Sequence, residues 1–312
     1  MHSPSGCLVK YIIVNITDSV NYISSAYSKP PAPWMNKGEY SSYEVIEMLK
    51  IIISPAKKMN LIDEFSFKLT DPVFLEETGY LHTLLKGMPL EELQTLWHCS
   101  DRLAKQNYER LHSFSPNRAS SPALLAYEGI QYQYMAPQVF SDSQWDYVSD
   151  HLYILSGFYG ILKPADRVIP YRLEMQAKLE TEEARDLYRF WGRRMYDLLT
   201  GKDGESDSIQ ILNLASAEYS KTILPYVRAP HSQVTCIFGE IINGKVKMKG
   251  TQAKMARGEM VRWMSEQYIE NISEIRRFDR LDYRFHPELS SETEYVFLKN
   301  PAPECQTDDM MI

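Results

Sequence analysis

Residues 50–58 read Lys-Ile-Ile-Ile-Ser-Pro-Ala-Lys-Lys, an apolar run that ends in serine and proline and is followed by two lysines. Two later segments follow the same order: Leu152–Ser156 leads into Gly-Phe-Tyr-Gly, and Ile209–Ala215 leads into Ser-Ala-Glu-Tyr-Ser-Lys. Such short apolar runs are typical of strands buried in a parallel sheet, where ligands bind outside the carboxyl ends. If these strands are parallel neighbours, their hydroxyls and lysines meet at one edge. The alternative is three ordinary strand-to-helix turns.

The rest of the chain alternates between strand-like and helix-like segments. The step Ile242-Asn243-Gly244-Lys245 predicts a type I′ hairpin, because Asn and Gly accept the two positive φ angles of that turn. We predict a mixed α/β fold, a single compact domain with a central mixed β-sheet flanked by helices. The predicted strands are Lys50–Ser54, Ala123–Tyr127, Leu152–Ser156, Ile209–Ala215, Val234–Ile242, Lys245–Met248 and Glu294–Lys299. The predicted helices are Leu90–Ser113, Asp142–Asp150, Glu182–Leu199 and Thr251–Glu270.

The charge of the chain is unevenly distributed. The 312 residues carry a formal net charge of −7, which argues against nucleic-acid binding, since such domains are commonly basic. Between Asn243 and Arg262, however, six cations stand against one anion, Glu259. A local basic face on an acidic protein is therefore still possible.

The composition also excludes several classes of protein. Hydrophobic residues at 44% and charged residues at 24% are ordinary for a globular protein. The sequence contains no run of eighteen apolar residues, so it predicts no transmembrane helix. The four cysteines and seven histidines form no CxxC pair and no HExxH motif. We expect a soluble, cytoplasmic protein with no metal, no cofactor and no membrane partner.

The two ends of the chain differ from its middle. Residues 1–47 include Pro30-Pro31-Ala32-Pro33 and lack helical or strand periodicity, and the texture changes abruptly at Met48. We expect residues 1–47 to be an extension outside the folded domain, with Met48 as the expected translation start; a disordered extension is the alternative. Residues 48–299 are the predicted domain, and residues 300–312 have the composition of a disordered tail.

Side chains that could carry chemistry follow the predicted strands or belong to the basic stretch. Arg172 and Glu174 stand two apart, so in an extended segment they share a face and predict an ion pair or a polar site wall. The candidate phosphate- or DNA-binding cations are Lys57, Lys58, Arg172, Lys221, Lys254, Arg257 and Arg262. The candidate cleft-lining residues are Ser54, Ser156, Tyr171, Glu174, Asn213 and Ser216.

Arg257 falls inside the apolar face of the helix predicted in the basic stretch. An unpaired buried guanidinium is costly, so we expect Glu174 as its partner, with carbonyls of the strand-end loops as alternatives. A bound phosphate in a cleft shared with Lys57 and Lys254 is the other expectation. Gly258 in mid-helix costs about 1 kcal/mol relative to Ala, which indicates that another segment packs closely there. The alternative is a solvated basic face with one snorkelling arginine.

Six stretches, in the same order along the chain, resemble the YaaA peroxide-stress family. They are Ile53–Lys57, Leu155–Pro164, Pro170–Met175, Phe190–Gly192, Asn213–Tyr219 and Lys254–Gly258. The resemblance spans about Met48 to Lys299. It departs at Met255, where the family pattern has a second lysine, which slightly weakens a phosphate-binding argument at that position.

The resemblance implies a mixed α/β fold with a basic cleft and a helix-hairpin-helix-like element that binds DNA, which we place between Gly79 and Tyr108. It also implies a cytoplasmic protein that limits unincorporated iron and the DNA damage that iron catalyses. It supplies no catalytic residue. The alternative from the residues themselves is an enzyme that acts on a phosphorylated or nucleotide-like small molecule, with Glu174 as general acid or base. Direct iron sequestration is poorly supported, because no cluster has the spacing of metal ligands.

Overall fold

The computed structural model of the protein describes residues 48–201 and 208–299. The predicted extension, residues 1–47, and the predicted tail, residues 300–312, lie outside the described residues. The strands are β1 (Met48–Ile53), β2 (Lys58–Met59), β3 (Ser121–Pro122), β4 (Tyr127–Glu128), β5 (Leu152–Ser156), β6 (Gly160–Leu162), β7 (Arg167–Val168), β8 (Ile209–Leu214), β9 (Ser232–Ile242), β10 (Lys245–Lys247), β11 (Tyr283–Phe285) and β12 (Glu294–Lys299). The helices are α1 (Leu75–Lys86), α2 (Leu90–Trp97), α3 (Asp101–Ser113), α4 (Ala123–Ala126), α5 (Ile130–Met135), α6 (Asp142–His151), α7 (Leu187–Trp191), α8 (Arg194–Thr200), α9 (Ala217–Ser220) and α10 (Gly250–Gln267).

The main sheet of the described residues is mixed, as predicted. Its strands follow the order β11-β12-β9-β8-β1-β5-β6, and β10 pairs with β9. Five neighbours, from β12 to β5, run parallel, whereas β11 and β6 are antiparallel to their neighbours at the two ends. The three strands that end in small polar residues, β1, β5 and β8, therefore lie side by side with their carboxyl ends at one edge.

The apolar runs become strands because both faces of the sheet are covered. Ile51, Ile52 and Ile53 of β1 are fully buried, and β8 is buried along its whole length. In register, Ile51 lies beside Leu152 of β5 on one side and Leu212 of β8 on the other. The predicted hairpin is confirmed, since Asn243 and Gly244 between β9 and β10 both have positive φ angles.

Helix α10 packs directly on helix α5. At Gly258 of α10, an added Cβ atom would lie 2.0 Å from the carbonyl oxygen of Gln131 and 3.0 Å from the backbone nitrogen of Met135, both on α5. The close packing expected at Gly258 is thus confirmed, and glycine is required because the atom in the way is backbone. This contact places α5 and α10 against each other beside the carboxyl ends of β1 and β8.

Three predicted elements are wrong. The predicted strand Ala123–Tyr127 is helix α4 followed by β4, because its Ala-Leu-Leu-Ala run consists of strong helix formers. The predicted helix Leu90–Ser113 is two helices, since His98 adopts a left-handed φ of 43° after α2. The predicted helix Glu182–Leu199 begins at Leu187 and is interrupted at Gly192, where φ is 49°.

Among the helices of residues 48–201 and 208–299, none has the length and hydropathy of a membrane-spanning segment.

Candidate functional site

The strand order reverses between β1 and β8, and the ends of these two strands are joined by their serines. The chain runs outward from β1 to β5 and β6 on one side, and from β8 to β9 and β12 on the other. The backbone N–H of Ser216 donates to Oγ of Ser54 at 2.8 Å, and the two hydroxyl oxygens lie 3.2 Å apart. The hydroxyl of Tyr132 donates to the carbonyl oxygen of Ser54 at 2.9 Å. Such a reversal point is the usual ligand crevice of an open α/β sheet.

A cavity of about 520 Å³, here called the strand-end cavity, opens at this point. Its described lining includes the strand-end residues Ser54 and Ser216, and residues of α5 and α10. The lining cations are Lys57, Lys58, Arg172, Lys254 and Arg257, and the lining carboxylates are Glu128, Glu174 and Glu218. Five cations against three carboxylates give this wall a formal charge of +2, whereas the chain as a whole carries −7.

Glu174 is held between two cations. Its Oε1 lies 3.1 Å from Nζ of Lys57 and 3.1 Å from Nη2 of Arg172, so the predicted pair with Arg172 is confirmed. Oε1 is not aligned for a hydrogen bond with either cation, so the attraction is electrostatic. The Arg172 side chain is 9% exposed and the Glu174 side chain 11%, whereas that of Lys57 is 65% exposed. Arg172 and Glu174 therefore form a buried structural ion pair, and the exposed Lys57 lies at the mouth of the cavity.

Arg257 does not pair with Glu174, so the expected partner is wrong. Arg257 lines the strand-end cavity together with Lys57 and Lys254, as the second expectation requires, and the bound phosphate stays a prediction. Neither Lys254 nor Arg257 forms an ion pair with a carboxylate of residues 48–201 and 208–299, and the buried Nε of Arg257 has no hydrogen-bond partner there. Burial lowers the pKa of the Arg257 guanidinium, which nevertheless stays charged at neutral pH. Two cations one helical turn apart thus line the cavity without a described carboxylate at ion-pair distance.

Gln131 is a site residue that the sequence analysis missed. Only 6% of the residue is exposed, and its Nε2 has no hydrogen-bond partner in the part of the chain that the structure describes. It lies on α5 and lines the cavity with Arg257. An unmet buried donor costs about 1–3 kcal/mol, so a water molecule or a ligand oxygen that accepts from Nε2 would stabilise the protein here. The one signal in the sequence was Gly258, which predicted a close neighbour but not its identity.

Glu218 lies in the first turn of helix α9. Its Oε1 accepts a hydrogen bond from the backbone N–H of Gln176 at 3.2 Å. Burial raises the pKa of the Glu218 carboxyl above its ordinary value, and the nearby negative charge of Glu174 raises it further. The cavity therefore holds one carboxylate stabilised by cations and a second that takes up a proton more readily.

Tyr171 joins the cavity wall to the buried end of β5. Its hydroxyl lies 2.7 Å from Oγ of Ser156 and 2.8 Å from the hydroxyl of Tyr127. Burial raises the pKa of Tyr171 to about 12. Ser156 also accepts hydrogen bonds from two backbone N–H groups of its own turn, and its side chain is outside the cavity lining. Ser156 is thus a structural residue that positions Tyr171.

Three further candidate residues lie away from the cavity. The side chain of Asn213 donates to Thr235 and accepts from the backbone of Ala215, which fixes the end of β8. Lys221 is exposed at the end of α9, and Arg262 pairs with Glu266 at 2.9 Å on the surface of α10. None of the three lines the strand-end cavity. Within the described segments, no group of three His, Cys, Asp or Glu side chains could hold a metal ion.

Comparison with known proteins agrees with the six motifs. The sequence model of the family described as peroxide stress protein YaaA matches residues 49–289. The chain belongs to this family. Its YaaA-family relatives include a UPF0246 protein of Desulfitobacterium hafniense (strain Y51), which is 52% identical over 254 residues, covering 81% of this chain and 99% of the relative.

Two further relatives match over the same part of the chain. The UPF0246 protein of Lachnoclostridium phytofermentans is 51% identical over 254 residues, covering 81% of this chain and 98% of the relative. The UPF0246 protein of Pediococcus pentosaceus is 48% identical over 253 residues, with the same two coverages, 81% and 98%. The YaaA-family match thus includes the whole strand-end cavity, from Ser54 to Arg257.

Proposed function

We propose that this protein acts in the cytoplasm during peroxide stress by binding the phosphate groups of DNA in the strand-end cavity, and that this binding limits iron-catalysed damage. Membership of the peroxide stress protein YaaA family supports the role in peroxide stress. The observation that carries DNA binding is the pair Lys254 and Arg257, two cations on one face of α10 with no opposing carboxylate among the described residues. Such cations neutralise phosphates and give affinity with little base preference.

The distribution of the cations supports this proposal. Lys57 and Lys58 have side chains that are 65% and 67% exposed, so they can move to meet a phosphate backbone at the mouth. Lys58 pairs with the partly exposed Glu128 at 2.6 Å, and an exposed pair of this kind contributes about 1 kcal/mol or less. Replacing the Glu128 carboxylate by a phosphate as the partner of Lys58 therefore costs little free energy.

The test is the salt dependence of DNA binding. A fluorescently labelled duplex is titrated with protein at several salt concentrations, and the logarithm of the association constant is plotted against that of the salt concentration. Lys254→Ala should lower the slope by about one, because one phosphate contact is lost. Arg262→Ala, on the same helix but paired with Glu266 away from the cavity, should leave the slope unchanged. Binding that ignores salt, or no binding at low salt, would contradict the proposal.

The helix-hairpin-helix-like element is a proposed second contact with DNA. Helices α1 and α2 are separated by Gly87, Met88 and Pro89, and Lys86 is exposed at the end of α1. Two carboxylates, Glu91 and Glu92, occupy the first turn of α2, so Lys86 is the cation that would meet a phosphate at this turn. Lys86→Ala should weaken DNA binding; affinity equal to that of the parent protein would confine binding to the strand-end cavity.

The link to iron is tested in cells that lack the protein. They should lose viability in hydrogen peroxide, and a cell-permeant iron chelator should restore it if iron-catalysed damage is what the protein limits. Complementation with Lys254→Ala separates DNA binding from other contributions. Protection that is complete with a variant unable to bind DNA would show that DNA binding does not carry the peroxide phenotype.

A second candidate function is an enzyme, or receptor, for a phosphorylated small molecule. The observation that favours it is the depth of the cavity: Arg257 and the Arg172–Glu174 pair lie below the exposed lysines, within about 520 Å³. Glu218, whose pKa burial raises, could donate a proton to a bound ligand there. Mass spectrometry of molecules that co-purify with the protein tests this candidate. A phosphorylated metabolite retained by the parent protein and lost in Arg257→Lys would support it.

A further inference from the structure

We propose that the strand-end cavity is selective for a terminal phosphate group, a phosphate monoester at a DNA end or on a mononucleotide, over the internal phosphodiesters of a duplex. This inference rests on the proposed phosphate binding and specifies its ligand. It is carried by Gln131 and Arg257, two buried groups on adjacent helices whose donors have no partner in residues 48–201 and 208–299.

The depth of these donors decides what can reach them. Gln131 is 6% exposed, and Nε of Arg257 is also buried, whereas the Lys57 and Lys58 side chains at the mouth are more than half exposed. An internal phosphodiester is flanked by a sugar on each side, which keeps it outside a recess of this kind. A terminal phosphate is joined to one sugar and can be inserted past the rim.

The charges of the cavity match the same group. Lys57 and Arg172 are engaged by Glu174, and Lys58 by Glu128, which leaves Lys254 and Arg257 uncompensated. A phosphate monoester carries between one and a half and two negative charges at neutral pH, roughly one for each of these cations. A continuous run of backbone phosphates would also approach the three lining carboxylates, which would repel it.

The two helices hold the donors in a fixed relation. Gly258 follows Arg257 directly, and the space for its missing side chain is filled by the carbonyl of Gln131 itself. The backbones that carry the Arg257 guanidinium and the Gln131 amide are therefore in direct contact. A planar guanidinium and a neutral amide donor can together bind two oxygens of one phosphate, which lysines at the rim cannot do with equal specificity.

The experiment compares two duplexes that differ only at their ends. Internally labelled duplexes of identical sequence carry either 5′-phosphate or 5′-hydroxyl termini, and binding is followed by fluorescence anisotropy. We expect the phosphorylated duplex to bind about tenfold more tightly, the factor that one charge-assisted hydrogen bond supplies. A deoxynucleoside 5′-monophosphate should compete with it, whereas the corresponding nucleoside should not.

Matched variants assign the preference to its residues. Gln131→Met and Arg257→Lys should remove most of the tenfold preference. Gln133→Met, an exposed position on the same helix, and Arg262→Lys, outside the cavity, should keep it. Thermal melting of each variant checks that it is folded, and competition by the mononucleotide on the parent protein needs no variant.

The outcomes separate this inference from the proposed function. Equal, salt-dependent affinity for both duplexes would overturn the terminal preference and leave DNA binding intact. Binding of the mononucleotide, dependent on Gln131 and without affinity for either duplex, would support the terminal-phosphate site and overturn DNA as its source. No binding of duplex or mononucleotide would overturn both. A preference that survives in both Gln131→Met and Arg257→Lys would place the site elsewhere.

Discussion

Gly258→Ala is the substitution for which the structure makes its sharpest prediction. In an ordinary helix, alanine would be the better residue by about 1 kcal/mol. Here the new Cβ atom would lie 2.0 Å from the carbonyl oxygen of Gln131, a backbone atom that cannot rotate away. Helix α10 must then move from α5 by roughly 1 Å before the contact becomes tolerable, and overpacking of this kind costs about 1–3 kcal/mol.

The upper end of that range applies, because backbone meets backbone. Subtracting the helix-propensity gain of about 1 kcal/mol from a cost of about 3 kcal/mol leaves a net loss of about 2 kcal/mol. For a domain of this size, that loss lowers the melting temperature by about 4–8 °C. Urea denaturation, with the unfolding slope compared between variants, measures the free energy directly.

Gly79→Ala is the matched control. Gly79 lies in the middle of α1, and nothing lies within 4 Å of its added Cβ atom. The same substitution there should stabilise the protein by about 1 kcal/mol. If Gly258→Ala is as stable as the parent, α5 and α10 do not approach as described, and the reasoning that places Gln131 beside Arg257 fails with it.

Three other substitutions test the charges of the strand-end cavity. Glu174→Gln leaves the buried Arg172 without its counter-ion and should lower the free energy of unfolding, measured in urea, by about 3 kcal/mol. Glu128→Gln removes an exposed pair with Lys58 and should lower it by about 1 kcal/mol or less. Equal losses would contradict the burial of the Arg172–Glu174 pair. Burial raises the pKa of Glu218 in the folded protein, so the protonated carboxyl is favoured by folding. Its contribution to the free energy of unfolding is complete below the ordinary pKa and is lost as the pH rises through the raised pKa. Glu218→Gln should therefore match the parent in melting temperature at acid pH and exceed it at neutral pH, and a difference that does not depend on pH would contradict this assignment.

The parts of the fold that were predictable depend on local rules. The sequence predicts a buried strand at Ile51, Ile52 and Ile53 and a tight turn at Asn243 and Gly244. Both predictions are confirmed. The interruptions of the helices predicted at Leu90–Ser113 and Glu182–Leu199 were missed for a different reason. The end of α2 at His98, whose φ is 43°, is only weakly marked in the sequence, because a residue other than glycine adopts the left-handed region in only a few per cent of cases.

The site was predictable only where one residue has a strong requirement of its own. Arg257 on an apolar helix face indicated a cavity, since an unpaired guanidinium needs a partner, but the choice of Glu174 as that partner was wrong. That choice depends on side-chain distances between segments far apart in the chain. Gln131 carried no signal, because an amide on a short helix is common on any surface; its role arises from the backbone contact with Gly258.

The pairing of cations with carboxylates also explains how an acidic protein could bind a phosphate without a strongly basic surface. Three of the five cavity cations have a carboxylate partner, and the remaining two, Lys254 and Arg257, set the number of phosphate charges that can be neutralised before any ion pair is broken. Binding limited to these two should give a salt slope of about −1.8 on a duplex, since each neutralised phosphate contributes about −0.9. A slope of about −3.6 would instead require Lys57 and Lys58 to leave their glutamates for the phosphate backbone. The slope therefore distinguishes a recessed site that uses two cations from a groove that uses four.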